Sequence, residues 1–238
     1  MISDLDTHPR ARPAVFAGPR AGAVAAFLAA AAYSSFLLER WTHPRFAVNH
    51  TFISQLELPG QPWSLLYRGS DVLSGAAMVI TAAAVWTVLR AAGKSGARVL
   101  VATGSFLAAG LSSVADGATT MRCAAGANLP CAVGARSPAT LLAALGDPHA
   151  DSGVIGLVAV AAAAILLGSI MTAQAPVLGR LAIIAGTAIG GLGLLDIALL
   201  AAGGGIGTAE RARTLLISAW LAAVGIWLLL ASHRKGAS

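Results

Sequence analysis

Residues 43–75 read HPRFAVNHTFISQLELPGQPWSLLYRGSDVLSG and connect the first two long apolar runs of the chain. This stretch contains two His, one Glu, one Asp and three Pro, although only 11% of all residues in the chain are charged. Polar and ionisable residues next to apolar segments are energetically costly unless they face a polar environment. We therefore predict that the stretch covers or lines a polar chamber at one end of the apolar segments.

The composition is that of an integral membrane protein. The 238 residues are 57% hydrophobic and their mean hydropathy is +0.76, which leaves too little polar surface for a soluble globule. A membrane-spanning helix needs about 20 apolar residues, and the chain has six such runs. We predict an all-α, polytopic six-helix transmembrane bundle with a short interfacial or re-entrant segment between helices one and two. The predicted helices are 21–38, 69–89, 99–115, 151–172, 178–201 and 214–231.

The same patterns predict one domain over residues 21–232, a disordered tail over 1–20 and a basic tail over 233–238. The net charge of +6 does not indicate nucleic-acid binding, because the basic residues lie singly or in pairs at the ends of apolar runs, where lipid phosphates explain them. The first apolar run ends at Glu39 without a small-residue cleavage site, so we interpret it as a retained helix and not a signal peptide. The Ala-rich composition is typical of a bacterial protein.

Counting Lys and Arg predicts the orientation. Nine of them lie on the side of the N-terminus and seven on the other side, so we expect both termini in the cytoplasm and the protein in the bacterial cytoplasmic membrane. This topology places Cys123 and Cys131 outside the cytoplasm, where a disulfide persists. Closing that short loop would stabilise the fold by roughly 2–3 kcal/mol. The alternative is two unpaired loop thiols.

The ionisable residues at helix ends all fall on the outer side in this topology. Such groups are costly in hydrocarbon and usually face a bundle interior or water, whereas the cytoplasmic halves of the helices are almost purely apolar. The pattern predicts a polar outer chamber over an apolar floor. We expect catalytic roles for Asp116, His149, Ser54 and Asp71, and substrate contacts from His50, Glu57, Asp151 and Asp196.

Helical spacing adds hydroxyl groups to these charges. Ser112 and Asp116 share one face of helix three, and Ser74 and Thr81 share one face of helix two. These hydroxyls either line the chamber or only bond to neighbouring helices and to their own backbone. The glycines of residues 186–193 form a small face that indicates close helix packing and not a dinucleotide-binding loop, because no strand precedes it.

The outer histidines allow a metal site. His43, His50 and His149 with Asp116 would provide the usual ligands of a catalytic Zn²⁺, but no two His have the spacing of one helical face. His149 alternatively caps or pairs with a neighbouring carboxylate. Ser54 is either a nucleophile or the N-cap of a short helix, and Glu57 three residues later matches the capping-box pattern. The second interpretation is favoured because no nucleophile-elbow motif is present.

The chain resembles a bacterial six-helix membrane family known as domain of unknown function 998. The resemblance is carried by His43-Pro44, Ile53-Ser54-x-Leu56 and the second polar block at Asp116, Cys123 and His149. It implies the fold and a polar outer site but no activity. The usual Ser-Glu-Leu-Gly segment of the family is Ser54-Gln55-Leu56-Glu57 here. The arrangement of helices and outer polar residues is also similar to that of alkaline-ceramidase and progestin-receptor-like membrane hydrolases. Those proteins have a seventh helix and a pair of His in the last helix, whereas the predicted last helix here has no outer His.

Three functions are consistent with these patterns. The first is binding or modification of a lipid or another amphipathic substrate, by acid/base or metal-assisted chemistry. The second is a structural or accessory subunit, with a homo-oligomer or a membrane partner protein as its partner. The third is a small-solute transporter, which is disfavoured because no polar track continues into the cytoplasmic halves of the helices.

Overall fold

The computed structural model describes residues 18–44, 48–49, 51–120, 147–173, 175–202 and 205–234. All regular secondary structure in these residues is helical, as the composition predicts. Five helices are long and apolar enough to cross a membrane, and the number is six if the bent pair of helices at the start of the described residues is counted as one span. The helices are α1 Pro19–Tyr33, α2 Glu39–Thr42, α3 Ser64–Ala91, α4 Ala97–Ala118, α5 Pro148–Met171, α6 Pro176–Ala201 and α7 Gly207–Arg234, with 3₁₀ helices at Ser35–Leu38 and Ile53–Glu57.

The long helices form a ring in chain order. Helix α1 packs against α3, each of α3 to α6 packs against the next helix, and α7 closes the ring by packing against α1. The core is built mainly from Ala, Val and Leu, with Phe106 of α4 against Trp220 of α7 at a ring-centroid distance of 5.0 Å. Small residues let the helix backbones approach closely. The ring brings the end of α1 and the starts of α3 and α7 to the same end of the bundle, here called the polar end.

Glycine allows the tightest helix crossing. A Cβ added to Gly75 of α3 would lie 2.4 Å from the carbonyl oxygen of Gly110 on α4, which no side chain tolerates. The predicted packing role of residues 186–193 is confirmed at Gly186 and Gly193, where an added Cβ would meet α5 at 2.8 and 2.3 Å. These close contacts fix the spacing of the ring.

The first helix is not continuous, contrary to the prediction over 21–38. It ends at Tyr33 and the chain bends by 40° before the next helical segment. The Ser34 hydroxyl donates to the Ala30 carbonyl at 2.8 Å, and the next four residues are a 3₁₀ helix. A hydroxyl that bonds back to its own helix in this way often bends it. Helices α3 and α7 begin earlier than predicted, at Ser64 and Gly207.

The segment between α2 and α3 folds back onto the bundle. Leu56 is fully buried and packs with Phe36 and Tyr67, and the Tyr67 hydroxyl lies 2.5 Å from that of Thr42. The predicted N-cap role of Ser54 is wrong: the 3₁₀ helix begins at Ile53, Phe52 is its N-cap, and no side chain caps it. The short helix is held by apolar burial and does not depend on a capping box.

The hydroxyl faces mostly serve packing. The Ser74 hydroxyl donates to the Ala29 carbonyl on α1 at 3.1 Å, and the Thr81 hydroxyl donates to the Ala77 carbonyl at 2.8 Å. Both are fully buried. For these two residues the alternative of helix–helix and backbone bonding is confirmed.

Candidate functional site

Side chains from the whole ring meet at the polar end. Tyr33 of α1 lies within electrostatic reach of acids on three other helices and of Arg213 on α7. The 3₁₀ helix adds Glu57, which interacts with two of the same acids. We call the carboxyl groups of this region the acid cluster; its members are Glu57, Asp71, Asp116, Asp196 and Glu210.

The start of α5 positions a histidine against the cluster. The Asp147 carboxylate caps the helix by accepting from the backbone N–H groups of His149 and Ala150 at 2.9 and 3.4 Å. This fixes the first turn, and His149 is only 5% exposed. Its Nδ1 lies 3.2 Å from Oδ1 of Asp116 on α4. The hydroxyl of Ser152, one turn later, donates to the same carboxylate oxygen at 2.9 Å. The result is an acid–imidazole pair held from two helices, in which the imidazole is buried and the carboxylate is partly exposed.

The folded-back segment brings Glu57 to Asp71. Glu57 is 6% exposed, and its side chain is hydrogen-bonded to the Asp71 carboxyl. Burial, followed by the charges of Asp71 and Asp116, raises the pKa of Glu57 from its ordinary value of 4.5 to about 10. Glu57 is therefore protonated at neutral pH and donates a hydrogen bond to the Asp71 carboxylate. The second oxygen of Glu57, Oε2, is buried without a hydrogen-bond partner.

Helix α7 contributes an acid and a base from its first turns. Oε2 of Glu210 accepts the backbone N–H of Ile53 at 2.9 Å, which fastens the 3₁₀ helix to α7. One turn further, Nη1 of Arg213 lies 2.7 Å from Oδ2 of Asp196 at the end of α6. Glu210 in turn lies within electrostatic reach of both members of that ion pair. Electrostatic interactions thus link the acid cluster from Asp196 on α6 through Glu210 on α7 to Asp71 on α3 and Asp116 on α4.

A second ion pair holds the segment from the other side. Arg211 of α7 donates to both carboxylate oxygens of Glu39 on α2, at 2.7 and 2.5 Å, and Glu39 and Arg211 are 8% and 7% exposed. The same guanidinium donates to the carbonyls of Val48, Thr51 and Gly207 at 2.8–3.0 Å. Arg211 therefore ties α2 and the following segment to the start of α7.

The structure brings together five of the residues predicted from the sequence, namely Glu57, Asp71, Asp116, His149 and Asp196. Their chemical roles remain predictions. His43 packs instead against Tyr67, with ring centroids 5.9 Å apart. Ser54 lies in the 3₁₀ helix and Asp151 in the first turn of α5. His50, Cys123 and Cys131 lie outside the described residues, so the disulfide remains a prediction. Among the residues that the structure describes, no three His, Cys, Asp or Glu side chains form a group that could hold a metal ion.

Sequence reasoning missed several residues of this region. Tyr33 was absorbed into an apolar run, although it is one of only two tyrosines in the chain. Ser152 follows His149 at a spacing of three, which places the two side chains on one helical face. Glu210, Arg211 and Arg213 are among the ionisable residues at the predicted helix ends, but the sequence pattern assigns no partners to them. Their partners are 17 to 172 residues distant along the chain, so no local signal could assign them.

Comparison with known proteins gives one finding. A family model described as "Protein of unknown function (DUF998)" matches residues 21–227, which is most of the chain. No curated protein and no solved structure matches. The similarity in helix arrangement to alkaline-ceramidase-like hydrolases therefore receives no support from these comparisons.

Proposed function

We propose that this chain, which belongs to the DUF998 family of proteins of unknown function, binds the polar group of a membrane amphiphile in its acid cluster and modifies it by acid/base chemistry. The observation that carries the proposal is that each of the six helices of the ring contributes one polar side chain to the same end of the bundle: Tyr33, Asp71, Asp116, His149, Asp196 and Arg213. Buried ionisable groups in a membrane bundle are costly and are usually functional.

The position of the cluster supports an amphiphile as the ligand. Trp41 and Trp63 are 73% and 63% exposed at the polar end, and exposed Trp side chains are typical of the membrane–water interface. Asp71 lies eight residues beyond Trp63 on α3, about 12 Å along the helix axis at 1.5 Å per residue. A ligand group that reaches the cluster thus lies just beneath the interface, where the upper part of an amphiphile lies.

The acid–imidazole pair Asp116–His149 and the carboxyl pair Glu57–Asp71 supply complementary proton chemistry. His149 is oriented by Asp116, an arrangement that suits a general base. Glu57 holds a proton at neutral pH while Asp71 accepts its hydrogen bond, an arrangement that suits a general acid. An acid and a base held in one cluster can remove a proton from one ligand atom and deliver a proton to another. No redox partner is required for such a step.

The test uses purified protein reconstituted in nanodiscs with a total membrane lipid extract. We expect native mass spectrometry to show retained lipid or amphiphile on the wild type, and incubation to produce a changed lipid species. His149→Ala and Asp116→Asn should abolish the change. The matched control is Asp147→Asn, which removes a carboxylate at the same end of the bundle but preserves the helix cap, because Asn caps as well as Asp.

Two results would contradict the proposal. Wild-type protein that retains no amphiphile and changes no lipid would exclude both binding and modification. Unchanged binding and turnover in folded His149→Ala and Asp116→Asn protein would exclude the acid cluster as the site. If these substitutions are tolerated and a stoichiometric membrane protein co-purifies, the accessory-subunit alternative is the correct one.

A further inference from the structure

We infer that the Asp196–Arg213 ion pair is a binding site for vicinal hydroxyl groups on a neutral polar head of the amphiphile. The inference rests on the proposed function, because it names the class of ligand that this end of the bundle binds. Asp196 lies near the end of α6 and Arg213 near the start of α7. Oδ2 of the carboxylate and Nη1 of the guanidinium are 2.7 Å apart, so the pair joins the two helices.

The Asp196 carboxylate has acceptor capacity that the described residues leave unused. The residue is only 6% exposed. Neither of its oxygens accepts a hydrogen bond of suitable geometry among the described residues, although Oδ2 touches the guanidinium. A buried acceptor without a donor is unfavourable, and buried polar groups in proteins nearly always find a partner. The carboxylate therefore calls for a donor from outside the described chain.

The Arg213 guanidinium has donor capacity to match. A guanidinium carries five N–H donors. Arg211, two positions earlier, is saturated by the Glu39 carboxylate and three backbone carbonyls. Within the part of the chain that the structure describes, Arg213 forms a polar contact only with Asp196, and its side chain is 19% exposed. Most of its N–H groups are therefore available to a ligand.

A hydroxyl group satisfies both members of the pair at once. It carries one O–H donor and two acceptor lone pairs, so it can donate to the carboxylate while it accepts from the guanidinium. Two vicinal hydroxyls do so twice, and hydrogen bonds to charged groups are stronger than those between neutral groups. The charges of the pair cancel, which favours a neutral ligand over an ion. An ether oxygen has no donor, and a quaternary ammonium has neither donor nor acceptor.

The ion pair lies where a membrane amphiphile can approach from the side of the bundle. Helices α6 and α7 share less contact than any other neighbouring pair in the ring, counted over the described residues. Helix α6 is also the least buried of the five candidate spans. Leu194 and Leu215, each two residues from a member of the pair, are 70% and 44% exposed and so face hydrocarbon. An amphiphile can therefore place its chain against these residues and its head on the pair.

The experiment compares three probes of equal chain length: 1-O-dodecylglycerol, its 2,3-di-O-methyl ether and dodecyltrimethylammonium. Methylation keeps both oxygens of the diol and removes both O–H donors. Binding at pH 7 is measured by calorimetry on wild-type protein in phosphatidylcholine nanodiscs, with empty nanodiscs of the same lipid subtracted. We expect saturable binding of the diol with a Kd at least about tenfold lower than that of either other probe.

Matched variants locate the binding. The double variant Asp196→Leu/Arg213→Leu removes both charges together and so leaves neither of them buried alone. It should bind the diol and the dimethyl ether equally. Asp147→Asn, at the same end of the bundle, should keep the wild-type preference. A preference for the diol that persists in the folded double variant would overturn the inference, because the hydroxyl groups would then be bound elsewhere.

The wild-type ranking decides the inference even if the double variant does not fold. Equal affinity for the diol and its dimethyl ether, or preference for dodecyltrimethylammonium, would overturn it, and the ion pair would then hold water only. If the diol fails to bind but the protein retains and changes another class of lipid, the inference is wrong and the proposed function stands. If no probe and no lipid binds, both are wrong.

Discussion

Replacing Arg211 by Met removes the clamp that ties α2 and the folded-back segment to α7. Arg211 makes two hydrogen bonds to Glu39 and three to backbone carbonyls, all from a side chain that is almost fully buried. Met fills a similar volume but leaves the Glu39 carboxylate buried without its cation. Removing one partner of a buried ion pair costs about 3–5 kcal/mol. We expect the free energy of unfolding of Arg211→Met to fall by that amount.

The double variant Glu39→Leu/Arg211→Met separates the ion pair from the carbonyl contacts. Replacing both charges by apolar residues removes the uncompensated charge, so most of the loss should be recovered. A remaining deficit of about 1–3 kcal/mol is expected because the carbonyls have lost their donor. Unfolding is followed by far-UV circular dichroism as sodium dodecyl sulfate is added to dodecyl maltoside micelles. The control is Arg98→Met, at an exposed arginine, which should change stability by less than about 0.5 kcal/mol.

Two results would refute this reasoning. An Arg211→Met protein within about 1 kcal/mol of the wild type would mean that the buried pair has no large energetic role. A double variant as unstable as the single one would mean that the loss comes from the carbonyl contacts or from packing and not from an unpaired carboxylate.

Three further predictions concern other parts of the fold. Gly75→Ala should destabilise the protein by about 1–3 kcal/mol through overpacking against Gly110, whereas Gly69→Ala, where an added Cβ meets open space, should not; thermal unfolding distinguishes them. The contribution of Glu57 to the free energy of unfolding should fall as pH rises from about 4.5 to about 10, because its raised pKa keeps it protonated in the folded state after it has ionised in the unfolded state. The measurement is the free energy of unfolding against pH for the wild type and for Glu57→Gln. Parallel curves for the two proteins would contradict the prediction. Asp147→Ala should lose about 1 kcal/mol with the helix cap, and Asp147→Asn should lose little, by chemical unfolding.

The long helices could be predicted from the sequence because apolar runs of spanning length have few alternatives. The helix boundaries could not be predicted where a side-chain contact, and not the apolar pattern, decides where a helix begins or ends. Residues 23–38 around the break after Tyr33 contain no Pro or Gly. The cause of the break, a serine hydroxyl bonded to its own helix, therefore gives no clear signal. The early start of α7 was missed because Glu210 and Arg211 look unsuited to a buried helix until their partners across the bundle are known.

The candidate site was predictable in its location and only partly in its members. Up-and-down topology places alternate helix ends together, so the acids at those ends had to approach one another. Topology does not determine which side chains pair. The bond between Ser152 and Asp116 and the approach of Glu57 to Asp71 depend on helix rotation and on how the 3₁₀ helix folds back. The capping-box pattern at Ser54 and Glu57 was misleading because Glu57 bonds to Asp71 instead of a local backbone N–H.

The fastening of the folded-back segment and the chemistry of the site are physically linked. Glu210 holds the N–H of Ile53, and Arg211 holds the carbonyl of Thr51, from adjacent positions on α7. Both contacts lie within a few residues of Glu57, the acid that this segment delivers to Asp71. Loosening either contact therefore also withdraws a proton donor from the acid cluster. For this reason an Arg211 variant that still folds should lose ligand affinity as well as stability, even though Arg211 itself does not belong to the acid cluster.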